Sequence, residues 1–330
     1  GSLSQLPTVL KANGVSRPFV VTDPGLKANG LLDTLLSALG EPPAGVFTET
    51  PANPTESASA KAADQYRASG ADGIIAFGGG SSMDLAKAMG LMVTHEGPFE
   101  RLGGSKRGMK FITKIPPLIA VPTTAGTGSE VSPGAVVILD NGMKETFVSA
   151  FLVPVAAVCD PELTLGLPPA LTAATGMDAM THCIEAVLTP VVHPPAEAIG
   201  VDGAERIGKW LERAVKDGSD RDARWHMMMG SFEGALAFAK GLGAVHGLSH
   251  ALGRIHELKL HHGTLNAVIL PHSLSMIGNA AEEKFARLRR ALGLAPNADL
   301  AQYIADLNAR IGLPTNLRGM GVTEAHFSDA

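Results

Sequence analysis

Potential metal ligands recur in this chain at a spacing of four residues, and two adjacent histidines follow them. In chain order these residues are Asp178 with His182, His246 with His250, and His261 with His262. Four residues turn a helix by about 400°, so each of the first two pairs lies on one helix face, one turn apart. A carboxylate with several imidazoles suits iron(II) or zinc. The pattern predicts a divalent metal site, but spacing alone leaves open which histidines bind.

Two glycine-rich segments follow apolar runs and predict a second kind of site. Gly78–Ser82 follows the apolar run Gly73–Phe77. The second segment, Pro122–Glu130, begins at the last residue of the apolar run Pro117–Pro122. Glycine backbone at a strand-to-helix turn can approach a phosphate, which the helix N-terminus favours. The hydroxyls of the second segment could donate to phosphate, ribose or a carboxamide, while Gly126 and Gly128 would allow a close backbone approach. Either segment alone could be an ordinary turn, but the two together predict a bound dinucleotide.

Asp23 ends an early apolar run and is a candidate for ribose recognition. A carboxylate there could accept a hydrogen bond from the ribose 2′-hydroxyl and would repel a 2′-phosphate, which favours NAD over NADP. The alternative is that Asp23 only stabilises the turn Asp23-Pro24-Gly25.

The surrounding pattern predicts the elements that position these residues. Short apolar runs alternate with helical stretches, including residues 56–69 and 83–93, which is typical of a parallel α/β sheet. From about Leu171 the pattern becomes helical. Because paired prolines interrupt regular structure, Pro168-Pro169 suggests a boundary, and we expect domains at residues 1–166 and 167–330.

The composition limits the classes of partner. The 330 residues carry 27 basic and 32 acidic side chains, a net charge of −5, which suggests neither a nucleic-acid nor a membrane-surface partner. Two cysteines exclude a disulfide framework and favour a reducing compartment. The sequence has no run of 18 apolar residues and no signal-peptide pattern at its start, so we expect a cytoplasmic protein.

Taken in order, several segments resemble the iron-containing (group III) alcohol dehydrogenase family. The resemblance extends from Thr22-Asp23-Pro24 to His272. Its other carriers are Asn53-Pro54-Thr55, Gly78–Asp84, Pro122–Glu130, Asp160–Thr164, Gly176–Ala186 and Gly243–His272.

The resemblance implies both a fold and a site. The fold would be an N-terminal α/β dinucleotide-binding domain with a parallel sheet and an all-α C-terminal domain, in the dehydroquinate synthase-like architecture. The implied metal ligands are Asp178, His182, His246 and His262, with His250 as the catalytic histidine near substrate and nicotinamide. The implied cofactor-binding residues are Asp23, Gly79, Gly80, Ser81, Asp84, Thr123, Thr124, Thr127, Lys144 near the ribose and Leu163 against the adenine.

The chain departs from the family pattern at three places. His246 and His262 are 16 residues apart, a little more than is expected for the commoner members of the family. His261-His262 doubles a histidine where one is usual, so His261 is an alternative candidate for the fourth ligand. Family members also usually have a strand before the segment matching Leu3–Leu10 and a further helix at the end, and neither is expected in this sequence.

The implied activity is a metal-dependent, NAD(P)-linked alcohol dehydrogenase or aldehyde reductase. It would transfer a hydride between nicotinamide and a small alcohol, diol or hydroxy acid, with a divalent ion stabilising the alkoxide. We expect NAD as the cofactor, Fe²⁺ as the metal with Zn²⁺ as the alternative, and a homo-oligomer.

Other activities fit the same architecture. They are those of a glycerol dehydrogenase, a dehydroquinate synthase-type lyase, a metal-independent oxo-acid reductase and a non-catalytic binding protein. The set of one aspartate and three histidines favours the alcohol dehydrogenase.

Overall fold

The computed structural model describes residues 1–327, which divide into two compact units. The first unit contains residues 1–123 and 129–163, and the second contains residues 124–128 and the chain from residue 164 onward. The predicted boundary between residues 166 and 167 refers to domains that fold independently. The division into compact units does not test it, so it stays a prediction. The last three residues of the chain, 328–330, lie outside the described residues.

The first unit alternates strands and helices. Its strands are β1 (Pro18–Val21), β2 (Gly45–Phe47), β3 (Gly73–Gly78), β4 (Leu118–Pro122), β5 (Gly134–Ile138), β6 (Lys144–Val148) and β7 (Ala156–Ala157). Its helices are α1 (Leu6–Ala12), α2 (Pro24–Ala28), α3 (Leu31–Leu39), α4 (Glu56–Ser69) and α5 (Gly80–Thr94). Five of the described strands form a sheet in the order β2-β1-β3-β4-β7, with parallel pairing throughout.

The central strands are apolar at every position because both faces of the sheet are buried. In β3, Ile74 packs into one hydrophobic core and its neighbour Ile75 packs into the other. The first core also contains residues of α4 and α5, and the second contains residues of α1 and α3. Helices on both faces explain why these strands read as continuous apolar runs.

The predicted parallel sheet is confirmed, but two parts of the unit gave no clear sequence signal. The hairpin of β5 and β6 mixes charged and apolar residues, and it lies outside the main sheet. Strand β7 is only two residues long. All three strands are short, so their periodicity is weak.

The second unit is helical, as predicted. Its helices are α6 (Pro169–Leu188), α7 (Pro194–Lys216), α8 (Arg221–Ala237), α9 (Ala244–Leu252), α10 (His262–Ile277), α11 (Glu282–Ala291) and α12 (Leu300–Arg310). Pro169 is the first residue of α6, a position that suits proline because its missing N–H needs no partner there. Helix α6 is almost entirely buried and packs against α7, α8 and α10. No helix within residues 1–327 has the length and apolar character that a bilayer crossing requires.

Candidate metal centre and cofactor-binding loops

Helix α6 presents a carboxylate and an imidazole from its buried face. Asp178 is 3% exposed and His182 is 5% exposed. The helical repeat places them one turn apart, with His182 Nε2 3.9 Å from Asp178 Oδ1. The first predicted pair therefore lies within the packed centre of the second unit.

Two histidines from other helices converge on the same carboxylate. His246 lies in α9, and His262 is the first residue of α10. The Nε2 atom of each lies 3.6 Å from Asp178 Oδ1. The ligand atoms of Asp178, His246 and His262 all lie within 4.8 Å of one another, close enough for one ion to be held by all three.

Gly263 allows α10 to approach α6 closely enough for this convergence. A Cβ at Gly263 would lie 2.2 Å from the carbonyl oxygen of Ala174. The glycine lies within the first turn of α10, so it serves helix packing rather than a chain reversal. This close contact brings His262 next to Asp178.

Burial and the charges of neighbouring donors shift the pKa values of this set away from their ordinary values. Burial opposes ionisation of Asp178, but His182, His262 and His246 together hold the pKa of that carboxyl well below its usual range. Burial lowers the pKa of His182 to about 4, against the opposing effect of Asp178. Burial also acts to lower the pKa of His246, but hydrogen bonds to Asp178 and Glu185 raise it to about 9.

These donors fit a divalent metal. The groups that lower the pKa of Asp178 are histidines, which become neutral ligands when they give up a proton. Asn266 Nδ2 donates to Asp178 Oδ1 at 2.7 Å and lies 3.2 Å from Nε2 of both His246 and His262. Its Oδ1 is buried without a hydrogen-bond partner among the described residues. A carboxylate and imidazoles that converge in this way provide suitable ligands for iron or zinc.

The remaining histidines of the sequence pattern lie around this set. His182 stacks on His246 with ring centroids 4.5 Å apart, but it is outside the convergent group of three. His250 is half-buried, and its ring centroid is 4.9 Å from that of His262. His261 is exposed at the N-cap of α10 and is also outside the group. Geometry thus favours His262 over His261.

The first glycine-rich segment forms the turn between β3 and α5. Gly78 has a φ of 147°, and a Cβ there would lie 2.5 Å from Ser82 Oγ. Gly79 is the N-cap of α5 and Gly80 is its first residue, while Ser81 Oγ donates to the carbonyl of Ala52 at 2.5 Å. This is a helix N-terminus at the carboxyl end of a parallel strand, which suits an anionic ligand.

Asp23 lies beside that turn and also caps a helix. Its Oδ1 accepts hydrogen bonds from the backbone N–H groups of Gly25 and Leu26 at the start of α2. Its Oδ2 accepts from Ser82 Oγ at 3.4 Å. Asp23 therefore stabilises the turn at the start of α2, and its hydrogen bond to a cofactor ribose stays a prediction.

The second glycine-rich segment is divided between the two units. The Thr123 backbone N–H donates to the carbonyl of Gly78 at 3.0 Å, next to the first glycine-rich turn. Thr124 and Thr127 are half-buried in the second unit.

Gly126 and Gly128 have a packing role that the sequence did not indicate. A Cβ on Gly126 would lie 2.6 Å from Thr175 Cβ, and one on Gly128 would lie 2.0 Å from Ala235 Cβ. Their lack of a side chain lets this segment pack against α6 and α8. Their role toward a cofactor stays a prediction.

Three further cofactor candidates lie inside the first unit. Asp84 accepts from Ser129 Oγ at 2.8 Å and from the Val136 N–H at 3.0 Å, so it fixes the start of the β5 region. Lys144 begins β6, and its charge acts to lower the pKa of Asp84, which burial raises overall. Leu163 is 4% exposed and packs in a core of the sheet. Contacts of these residues with a cofactor stay predictions.

Two side chains of the metal centre had no role in the sequence analysis. Asn266 lies one helical turn after His262, and Glu185 lies seven residues after Asp178, on the same face of α6. The spacing 178, 182, 185 was a usable signal for Glu185. The partner of Glu185 is distant in sequence and could not be identified from spacing.

Comparisons with known proteins agree with this geometry. Residues 1–161 match the model of iron-containing alcohol dehydrogenases, and residues 172–330 match that of the C-terminal part of the Fe-containing alcohol dehydrogenase family. The chain is 52% identical to 4-hydroxybutyrate dehydrogenase of Cupriavidus necator, over 99% of the chain and 88% of that protein.

Solved structures give the same relationship. One is a 1,3-propanediol oxidoreductase, with a TM-score of 0.92 and 33% identity over 98% of this chain and 87% of that one. Another is the sulfoacetaldehyde reductase of Bifidobacterium kashiwanohense in complex with NAD⁺, with a TM-score of 0.90 and 29% identity over 100% of this chain and 87% of that one.

The chain belongs to the iron-containing alcohol dehydrogenase family. It is a metal-dependent oxidoreductase that acts on CH–OH groups with NAD(P), and iron is the metal of this family.

Proposed function

We propose that the enzyme oxidises an ω-hydroxy acid of the 4-hydroxybutyrate type to the corresponding semialdehyde with NAD, and catalyses the reverse reduction. The observation that supports the chemistry is the convergence of Asp178, His246 and His262 within 4.8 Å of one another. The substrate class is supported by the 52% identity to a 4-hydroxybutyrate dehydrogenase.

We assign the metal to Asp178, His246 and His262, with His182 as the fourth ligand. When bound, a divalent ion supplies Lewis acidity for the substrate oxygen and NAD supplies the hydride acceptor. Asp178 would contribute the negative charge, and the three histidines would contribute neutral nitrogen donors. His250, half-buried beside His262, would pass a proton between the substrate oxygen and solvent through its imidazole.

We assign the dinucleotide phosphates to the turn of Gly79, Gly80 and Ser81 at the N-terminus of α5. Asp23, which accepts a hydrogen bond from Ser82 beside that turn, would accept hydrogen bonds from the ribose hydroxyls and disfavour a 2′-phosphate. The threonines at 123, 124 and 127 would contribute hydroxyl groups toward the rest of the cofactor.

The metal assignment is tested with protein stripped by a chelator and then loaded with Fe²⁺ or Zn²⁺. We expect stripped protein to lose alcohol oxidation, followed by NADH absorbance, and loaded protein to recover it. His246→Ala should lose both bound metal and activity. His193→Asn, which keeps an N-cap residue at the start of α7, is the matched control and should retain both. Full activity in verified metal-free protein would contradict the assignment.

The substrate class is tested with 4-hydroxybutyrate, its uncharged amide and 1,3-propanediol. Recognition of the carboxylate should give 4-hydroxybutyrate a kcat/KM at least about tenfold above that of the amide, equivalent to about 1.4 kcal/mol. Equal values for the acid and the amide would leave the metal-dependent dehydrogenase in place and reject the hydroxy-acid proposal.

We also propose a cytoplasmic location and a homo-oligomer. The described cysteines, Cys159 and Cys183, are free thiols, as is usual in a reducing compartment. Light scattering that gives the mass of a single chain at micromolar concentration would reject self-association. Localisation of a tagged protein outside the cytoplasm would reject the compartment.

A further inference from the structure

Glu185 is a buried carboxylate that the proposed chemistry does not use directly. It is 5% exposed and lies on the face of α6 that carries Asp178 and His182. A buried carboxylate is costly unless its oxygens receive hydrogen bonds, so its partners indicate its role.

One close contact of Glu185 is with a proposed metal ligand. Its Oε2 lies 2.7 Å from His246 Nδ1, and both side chains are 5% exposed. A hydrogen bond from Nδ1–H to the carboxylate places the ring proton on Nδ1. In the neutral ring the lone pair is then on Nε2, which lies 3.6 Å from Asp178 Oδ1.

Glu185 also fixes the start of the helix that carries His246. Helix α9 begins at Ala244, and its N-cap Gly243 contributes no side-chain hydrogen bond. Glu185 Oε1 accepts the Val245 N–H at 2.7 Å, and Oε2 accepts the His246 N–H at 3.3 Å. The carboxylate of α6 therefore satisfies the first-turn donors of α9, where a negative charge is favourable.

The missing side chain of Gly243 leaves room for the Glu185 carboxylate. A Cβ at Gly243 would lie 2.7 Å from Glu185 Oε1. Any larger residue would push the carboxylate away from the first turn of α9. The glycine, the carboxylate and the histidine thus form one packed arrangement.

We propose that Glu185 is a positioning residue of the metal centre, which sets the tautomer and orientation of His246 so that Nε2 binds the divalent ion. This inference rests on the proposed metal assignment. A carboxylate behind a metal-binding histidine is expected to raise its basicity and fix its ring, and loss of such a partner weakens metal binding by about 10- to 100-fold.

The test is the Zn²⁺ affinity of Glu185→Gln, measured by competition with a chromophoric chelator. The amide keeps one acceptor oxygen for the backbone of α9 but can turn its NH₂ toward Nδ1, which favours the tautomer with the proton on Nε2. We expect the Kd for Zn²⁺ to rise by about 10- to 100-fold. The ¹⁵N chemical shifts of the neutral His246 ring in the metal-free variant should then report the proton on Nε2 rather than on Nδ1.

Glu197→Gln is the matched control for loss of a partly buried, ion-paired carboxylate in the same unit. Glu197 Oε2 accepts a hydrogen bond from Lys240 Nζ at 2.9 Å, and among the described residues it makes no hydrogen bond or ion pair with the proposed metal ligands. We expect this variant to change the unfolding midpoint but to keep the Kd for Zn²⁺ within about twofold of wild type.

His246→Ala separates the two hypotheses. If His246→Ala loses Zn²⁺ affinity and Glu185→Gln keeps it, the role of Glu185 is overturned and the metal centre stands. If His246→Ala binds Zn²⁺ like wild type, the metal assignment fails. Should Glu185→Gln not fold, ¹⁵N chemical shifts of histidine in Zn²⁺-loaded wild type decide: Nδ1 of His246 should be protonated, and a proton on Nε2 overturns the proposal.

Discussion

At the scale of single residues, neighbours decide which histidines can act together. His261 and His262 are adjacent in the sequence, yet only His262 brings a ring nitrogen into the set with Asp178 and His246. His261 is exposed at the N-cap of α10. Consecutive residues at a helix start point in different directions, so the doubled histidine does not create two equivalent ligands.

His250 gives a prediction at this scale. Its half-exposed ring lies beside His262 but outside the convergent set, so His250→Ala should retain the metal. Loss of a proton-transfer group should lower kcat by roughly 10²-fold or more. Elemental analysis and the pH dependence of kcat measure the two effects. A variant with wild-type turnover, or one that loses its metal, would contradict the role assigned to His250.

At the scale of elements, close helix contacts position the ligands. Asp178 and His182 are fixed by the repeat of α6, while His262 reaches them because α10 packs against that helix, and His246 reaches them because α9 packs against α10. Glycines mark several of these contacts. Gly263 meets the Ala174 carbonyl, and Gly128 meets Ala235.

Gly263→Ala tests the contact between α10 and α6. The new Cβ would lie 2.2 Å from a backbone oxygen, so the helices must separate. We expect a loss of about 1–3 kcal/mol in the free energy of unfolding and weaker metal binding, because His262 moves with its helix. Denaturant unfolding and chelator competition measure these changes.

Gly247→Ala is the control for Gly263→Ala, since it changes an exposed helical glycine with no atom within 4 Å of the new Cβ. It should stabilise α9 by about 0.5–1 kcal/mol because alanine loses less backbone entropy. Equal stability of the two alanine variants would show that the α10–α6 contact is not tight.

At the scale of the whole molecule, the chain combines a net charge of −5 with a few buried charges. In the first unit, the Lys87 ammonium is fully buried and donates to the backbone oxygens of Ser129, Ser132 and Gly134 at 2.8–2.9 Å. Glu130 lies between Ser129 and Ser132 in the chain and is 3% exposed. Burial raises the pKa of Glu130 to about 7, although Lys87 acts to lower it.

This buried carboxyl predicts a pH dependence of stability. With a pKa of about 7 in the folded state and 4.5 as the ordinary value, the folded state holds more protons between those pH values. The contribution of Glu130 to the free energy of unfolding is therefore most favourable below pH 4.5 and is lost as pH rises through 7. The Gln side chain of Glu130→Gln cannot ionise. The free energy of unfolding of this variant, relative to that of wild type, should therefore increase by up to roughly 3 kcal/mol as pH rises from 4.5 to 8.

Unfolding curves at several pH values measure this difference. Glu41→Gln, at an exposed position, controls for the loss of one negative charge. A constant difference between Glu130→Gln and wild type across this range would show that Glu130 does not ionise with the raised pKa.

The sequence by itself determined the parts of this protein that depend on local pattern. Continuous apolar runs identified the central strands, because a sheet covered on both faces leaves no polar side. Spacing of four placed Asp178 beside His182, because the helical repeat is fixed by backbone geometry. The order of motifs gave the family, which the comparisons confirmed.

Only the tertiary structure decided which distant residues meet. Asp178 and His246 are separated by α7 and α8 in the chain, and their distance depends on how helices pack rather than on any local repeat. The same holds for the contact of Glu185 with His246 Nδ1, and for the glycines whose missing side chains admit a neighbouring helix. Side-chain packing is a property of the assembled unit, so the shape of the metal centre could not be read from the order of residues.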